Sequence, residues 1–304
     1  MRKAFVLSLL QIARNDNKIM LLTGDLGYSV LERFQNEMPD QFMNFGINEQ
    51  SLMSAAAGMA SDGLRPVVYS IGNFPTFRCL EQIRNDVCYM NLDVCIVAIG
   101  AGFAYGSAGY SHHLVEDISA ISALPNIKIY SPSDPKETNL VTSEIFSSKG
   151  PKYLRLGKGG ESNHSIEFNE FTDGASVKLG DSRLTIVSTG AILEEVILAE
   201  HELKKAGILP TIISVRNLSK ANELRKYLSG QLVLTVEEHL IRGGFGSMIR
   251  EVSENSAKEI KSLGIESIDV KMNGSVKFLR ERYKIDSKSI AQQAKDMALN
   301  RKFT

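Results

Sequence analysis

The chain carries no surplus of charge of either sign. Lys and Arg number 35, as do Asp and Glu, so the formal net charge of the 304 residues is zero and the isoelectric point is near 7. That balance leaves no electrostatic footprint for nucleic acid or an anionic membrane as partner. Cysteine is scarce: Cys79, Cys88 and Cys95 are odd in number and lack metal-ligand spacing. They read as free thiols of a reducing compartment, not as a disulfide framework or a metal site. No segment is long and apolar enough to span a bilayer. The opening Met1-Arg2-Lys3 and its apolar sequel imitate a secretion signal, but Gln11 and Arg14 interrupt the run and no cleavage site follows. Phe5, Leu9, Ile12 and Ala13 fall instead at helical spacing. The expectation is an amphipathic first helix of a cytoplasmic protein. Internal repeats and low-complexity tracts are missing as well.

What is present is alternation. Short apolar runs at 19–23, 42–45, 66–69, 94–99, 127–131 and 153–156 read as strands, with helical patterns between them at 82–89, 115–123 and 136–146. Continuous hydrophobic strands separated by helices signal a parallel sheet covered on both faces. Residues 157–182 turn polar and glycine-rich, as a linker does. A second series follows, with strands at 184–188, 210–214, 232–236 and 267–270. Its helices fall at 192–206, 244–253 and 287–297, the first of them stopped by Gly207. The length suits two domains. We therefore expect two α/β domains, 1–165 and 175–304, joined near residue 170, each a largely parallel sheet flanked by helices.

One carboxylate stands out. Asn44-Phe45-Gly46-Ile47-Asn48-Glu49-Gln50 closes a strand and opens a helix of small residues that holds no charge from Ser51 to Ala60. Glu49 thus lies where an α/β sheet offers its ligand crevice. A helix apolar on nearly every face is a buried one, so this carboxylate needs a partner or a proton. A helix-start glutamate stabilised by the dipole is the plain alternative. Phe45-Gly46-Ile47-Asn48-Glu49-Gln50 with its small-residue helix resembles the pyrimidine-binding domain of thiamine-diphosphate enzymes of the transketolase group. The resemblance covers essentially the whole chain, strongest over residues 1–160, and implies a pyrimidine-binding domain followed by a transketolase C-terminal domain. It gives Glu49 the role of hydrogen-bonding the aminopyrimidine and driving the imino tautomer that removes the thiazolium C2 proton.

The same resemblance assigns further residues. Ile71, Phe74 and Phe77 occupy the family's aromatic-triplet spacing, so Phe74 is expected to stack on the ring with Phe77 beside it. Ile71 replaces the first aromatic. Asp25 and Leu26 match an Asp-Leu pair near the coenzyme. His112 takes the place of the histidine beside the reacting carbon, a residue able to donate to a developing alkoxide. With His113 it would orient substrate, while Arg2 and Arg155 match positions that hold substrate phosphate. Ala108 and Gly100 stand where a substrate-binding aspartate and histidine are usual. These losses affect sugar contacts rather than coenzyme contacts and leave room for an unusual acceptor, such as a nucleotide-linked keto sugar. The family's Gly-Asp-Gly motif for Mg2+ and diphosphate does not occur: Gly24-Asp25 runs into Leu26 and Gly180-Asp181 into Ser182. The chain is therefore expected to supply no metal ligands and to work with an N-terminal partner subunit carrying that motif, most simply as α2β2, in two-carbon ketol transfer on sugars or sugar phosphates.

Other motifs read more plainly. Gly100–Gly106 imitates a dinucleotide fingerprint, but its spacing is one residue too long and no acidic residue follows in the right place. Adjacent His112 and His113 lack zinc-like spacing. Gly243 to Ser247 opens a helix and reads as a tight turn in preference to an anion site. Three other readings stay open: a deoxyxylulose-phosphate-synthase-like enzyme, the β subunit of a 2-oxoacid dehydrogenase, and a non-catalytic binding or regulatory subunit.

Overall fold

A computed structural model of the chain describes residues 1–164, 168, 170–253 and 256–299. The expected domain ends at 165 and 304 lie outside the described residues. Two six-stranded sheets organise the fold. The first comprises β1 (Ile19–Thr23), β2 (Phe42–Asn44), β3 (Arg65–Ile71), β4 (Cys95–Ile99), β5 (Lys128–Tyr130) and β6 (Lys152–Leu156), in spatial order β2-β1-β3-β4-β6-β5. All its neighbours pair in parallel. The second comprises β7 (Glu170–Phe171), β8 (Ala175–Lys178), β9 (Leu184–Ser188), β10 (Thr211–Val215), β11 (Leu232–Leu240) and β12 (Glu259–Ile265), in order β12-β11-β9-β10-β8-β7. Here β7 and β8 form an antiparallel margin on an otherwise parallel sheet. The central strands β4 and β9 are buried along their whole length, the consequence of helices on both faces.

The helices follow the periodicity. Arg2–Ala13 buries Phe5, Val6, Leu9, Leu10 and Ala13 and packs beside Pro135–Ser147. The latter starts where Asp134 accepts the Glu137 N–H, with Pro135 in the first turn. No helix among the described residues is long and apolar enough to cross a membrane.

Three expectations need correction. No strand forms at 267–270; the pairing segment is β12, an edge strand whose Glu259 and Lys261 mask its pattern. The stretch expected as linker contains β7 and β8. The helix Glu49–Ser61 buries Glu49, Leu52, Met53, Ala56 and Ala57, but Gln50, Ser51, Ser54 and Gly58 face outward. Small residues lack charge without being interior.

Strand order fixes where ligands fit. From β1 the chain passes to β2 on one side and then to β3 on the other, so a crevice opens beyond the carboxyl ends of β1 and β3. The same reversal in the second sheet opens one beyond β9 and β11. The two sheets meet at these edges. The Ser131 N–H donates to Arg216 O at 2.9 Å, the Leu240 N–H to Val115 O at 2.7 Å, and Tyr130 bridges Asn217.

Candidate active site

Glu49 is 4 % exposed, at the first position of its helix, just beyond the β1–β3 crevice. The approach is tight. A Cβ on Gly24, which follows β1, would lie 3.1 Å from Gly46 O and 3.9 Å from the Glu49 side chain. Glu49 Oε2 accepts from Arg78 Nη1 at 2.6 Å, and the Arg78 guanidinium lies 5.0 Å from the Phe74 ring centroid. A flat cation therefore rests between a buried carboxylate and an aromatic ring.

Phe74 and Arg78 share the widened π-helical turn Phe74–Arg78, which follows β3. Such turns recur at functional sites because they re-aim side chains. The turn is anchored from below: Thr76 Oγ1 lies 2.8 Å from the Tyr153 hydroxyl, which donates to Asp117 at 3.0 Å. Asn73 Nδ2 donates to Ser111 O at 2.6 Å, tying the turn to the loop that bears the histidines.

His112 is half-buried, its ring edge-on to Phe74 at 5.6 Å and to Tyr105 at 6.0 Å, with Nδ1 3.0 Å from Ser111 Oγ. Lys158 Nζ sits 4.9 Å from the Tyr105 centroid. Arg2 is half-buried beside Tyr69 and Tyr105. Glu49, Arg78, Phe74, His112, Tyr105 and Lys158 thus form one continuous wall.

The other expected residues divide. Asp25 adopts φ +57°, a left-handed conformation Asp tolerates better than most side chains. Its N–H donates to Asn44 Oδ1 at 2.9 Å, and it lines a cleft of about 140 Å³ with Leu26, Thr23, Tyr28 and Asn44. Phe77 faces a separate cleft of about 280 Å³ with Asn73, Tyr110 and Glu116. His113 is buried, Nε2 3.1 Å from Gly106 O and the ring edge-on to Phe103 at 5.1 Å.

Arg155 is where the geometry departs most from expectation. It is 3 % exposed; Nε donates to Asp117 at 2.9 Å and Nη2 to Leu114 O at 2.7 Å and Glu238 O at 3.1 Å. A guanidinium so engaged offers no fork to a phosphate, because it closes the joint between the sheets. Gly100, where a histidine is usual, has φ +97°, and a Cβ there would lie 2.3 Å from the Tyr105 ring. Tyr105 fills that space.

Sequence reasoning missed Arg78, Tyr105 and Lys158. Arg78 carried a signal, four residues beyond Phe74 and therefore on the same helical face. The other two depend on how the loops fold back.

Comparison with known proteins fits this geometry. Residues 1–160 match the model of the transketolase pyrimidine-binding domain and residues 174–290 that of the transketolase C-terminal domain. The chain belongs to the transketolase family. A putative transketolase C-terminal section from Methanocaldococcus jannaschii is 32 % identical, over 96 % of this chain and 94 % of its own. An apulose-4-phosphate transketolase subunit of Actinobacillus succinogenes is also 32 % identical, over 86 % of each. A solved structure described as a split gene transketolase, inactive beta4 tetramer, superposes with a TM-score of 0.82 at 30 % identity, covering 98 % of both chains.

Proposed function

We propose that this chain is the C-terminal subunit of a thiamine-diphosphate-dependent transketolase that moves a two-carbon ketol unit between sugars once joined to an N-terminal partner. The observation that carries the reading is the buried Glu49 carboxylate capped by a planar N–H donor lying on Phe74. A place that accepts a guanidinium between a carboxylate and an aromatic ring also suits an aminopyrimidine, which is flat and presents N–H donors. When bound, the coenzyme supplies the carbanion chemistry.

The chain's own groups then have distinct tasks. Glu49 holds the ring and accepts or returns a proton at its carboxylate. Phe74 gives the ring a face to stack on, and Asp25 and Leu26 border the neighbouring edge. His112 points a donor toward the reacting sugar oxygen. Lys158 and Arg2, beside Tyr105, are the cations placed to meet an anionic sugar; Arg155 holds the joint. Among the described residues no group of three or more His, Cys, Asp or Glu could hold a metal. In this reading Mg2+ and the diphosphate fall to the partner. Relatives of nearly the same length that are named as a section or a subunit support a divided enzyme. So does the apolar surface beside Asp25 and Glu49, where Tyr28 and Ile47 are exposed by 72 and 80 %.

The test is reconstitution. The isolated chain should show no ketol transfer, and activity should appear only with the partner, Mg2+ and thiamine diphosphate together. Turnover by the isolated chain would end the split-enzyme reading; an inactive, fully loaded pair would end the transketolase reading.

A further inference from the structure

The loop that carries His112 is held from the other domain. It leaves β4 at Gly100 and is closed by Gly102 and Leu114, whose N–H groups donate to each other's carbonyls at 2.9 and 3.0 Å. Three hydrogen bonds and one ring contact from the C-terminal domain grip it. Glu238 Oε1 accepts the Phe103 N–H at 3.0 Å. The Leu240 N–H donates to Val115 O at 2.7 Å, and the Gly274 N–H to Gly106 O at 3.2 Å. The Tyr283 ring stacks on Phe103 at 5.3 Å.

Glu238 is the unusual member. It lies 6 % exposed in β11, at the second crevice. Arg280 Nη2 holds its other oxygen at 2.8 Å, and Arg280 is steadied in turn by Glu195 at 3.3 Å. A Cβ on Gly102, which has φ +63°, would lie 2.7 Å from the Glu238 carboxyl carbon. The loop is thus shaped to admit this carboxylate. A buried carboxylate is costly unless paired, and apolar packing alone would have covered the loop. What the charge adds is direction: it takes a loop N–H that would otherwise be orphaned and sets the loop's register.

We propose that the C-terminal domain serves as the positioning frame of the reaction loop, with Glu238 the residue that fixes His112 relative to Phe74 and Glu49. The role given to His112 rests on the transketolase reading; the grip itself does not.

Amide hydrogen exchange on the isolated chain separates the two. In Glu238→Ala the Phe103 amide and its neighbours in the 102–114 loop should exchange on the order of 10- to 100-fold faster, the size of one charge-assisted hydrogen bond. Glu238→Gln keeps an acceptor and the shape, so it should show the same pattern with a smaller rise. It carries the test if the alanine variant does not fold. Glu200→Gln removes another buried carboxylate, one paired with Lys178 and Lys204, and should leave the loop unchanged. In the reconstituted enzyme, kcat per coenzyme-binding site should fall on the order of 10- to 100-fold in Glu238→Ala, as for a displaced catalytic group, with KM within about threefold. Unchanged loop exchange would overturn the grip. A loosened loop with unchanged kcat would reduce Glu238 to a structural residue and overturn its positioning role. An inactive wild-type pair would sink the transketolase reading, while exchange would still decide the grip.

Discussion

Glu49→Gln should separate chemistry from stability. The amide has almost the shape of the carboxylate and keeps an oxygen facing Arg78, so packing is preserved and only the charge is lost. Its partner is half exposed: the Arg78 side chain is 48 % accessible, against 5 % for Glu49. Solvent screens such a pair, and losing it costs below about 1 kcal/mol. For domains of this size that corresponds to a Tm drop of about 2–4 °C at most. The catalytic consequence should be far larger, since removing a positioned proton-transfer group typically costs 10²- to 10⁴-fold in rate. Two measurements on one preparation suffice: thermal unfolding of the isolated chain, and two-carbon transfer by the chain mixed with its partner and coenzyme. Turnover within about threefold of wild type would refute the role given to Glu49. A Tm drop well beyond about 4 °C would refute the stability reasoning and make lost activity uninformative.

Two further outcomes concern the joint. Asp117→Asn should leave the Arg155 charge buried without its partner, the pair being 0 and 2 % exposed at 2.9 Å. The expected loss is about 3–5 kcal/mol in denaturant unfolding, and a loss below about 1 kcal/mol would show that the pair does not hold the joint. His239 is fully buried, its Nε2 accepting the Ile118 N–H at 3.1 Å and its Nδ1 2.7 Å from Leu240 O. A proton on Nε2 would face that N–H donor, and burial lowers the pKa from 6.5 to about 4 although Asp117 pulls it upward. As pH falls from 6.5 the unfolded chain takes the proton first, so this contribution is present above pH 6.5 and lost toward pH 4, by about 3 kcal/mol. Burial pushes neighbouring Glu237 up to about 8, which works in the opposite sense. The His239 share is therefore the difference between the wild-type and His239→Gln unfolding profiles. Parallel profiles would disprove it.

The central strands were legible in the sequence because burial on both faces leaves an unbroken apolar run; β9 coincides with its expected span. Where one face or an edge is polar the signal fades, which is why β12 was displaced to 267–270. Small residues misled in another way. The charge-free helix after Glu49 looked interior, yet Ser51, Ser54 and Gly58 lie on the surface. At the candidate site, places in the fold set by neighbouring sequence were legible: Glu49 at a strand–helix junction and Phe74 beyond β3. Arg155 was misread because a strand-end arginine looks the same whether it faces a phosphate or a buried Asp117. That partner lies 38 residues away and is invisible to spacing.

The facing edges give the two similar crevices different tasks. Each sheet reverses its strand order once, and each therefore has a natural ligand position. In the second sheet the chain itself takes up part of that position, leaving a cleft of about 180 Å³ lined by Ala101, Gly157, Ala191, Glu194, Glu238 and Arg280. The Glu237 carboxyl group takes the Phe245 and Gly246 N–H groups at 2.6 and 2.9 Å, occupying the start of the helix Phe245–Ser253, whose approach reads as a tight turn in preference to an anion site. Glu238 and Leu240 take up the loop from the first sheet. The second crevice thus holds the 102–114 loop in place, and that loop sets His112 against the wall of the first one. Phe74 meets that loop at His112, while Glu49 lies two residues from the exposed Ile47. A second chain docking there could complete the site without disturbing the joint. That arrangement suits the divided enzyme proposed above, with one half's internal joint kept apart from the edge left for the other half to cover.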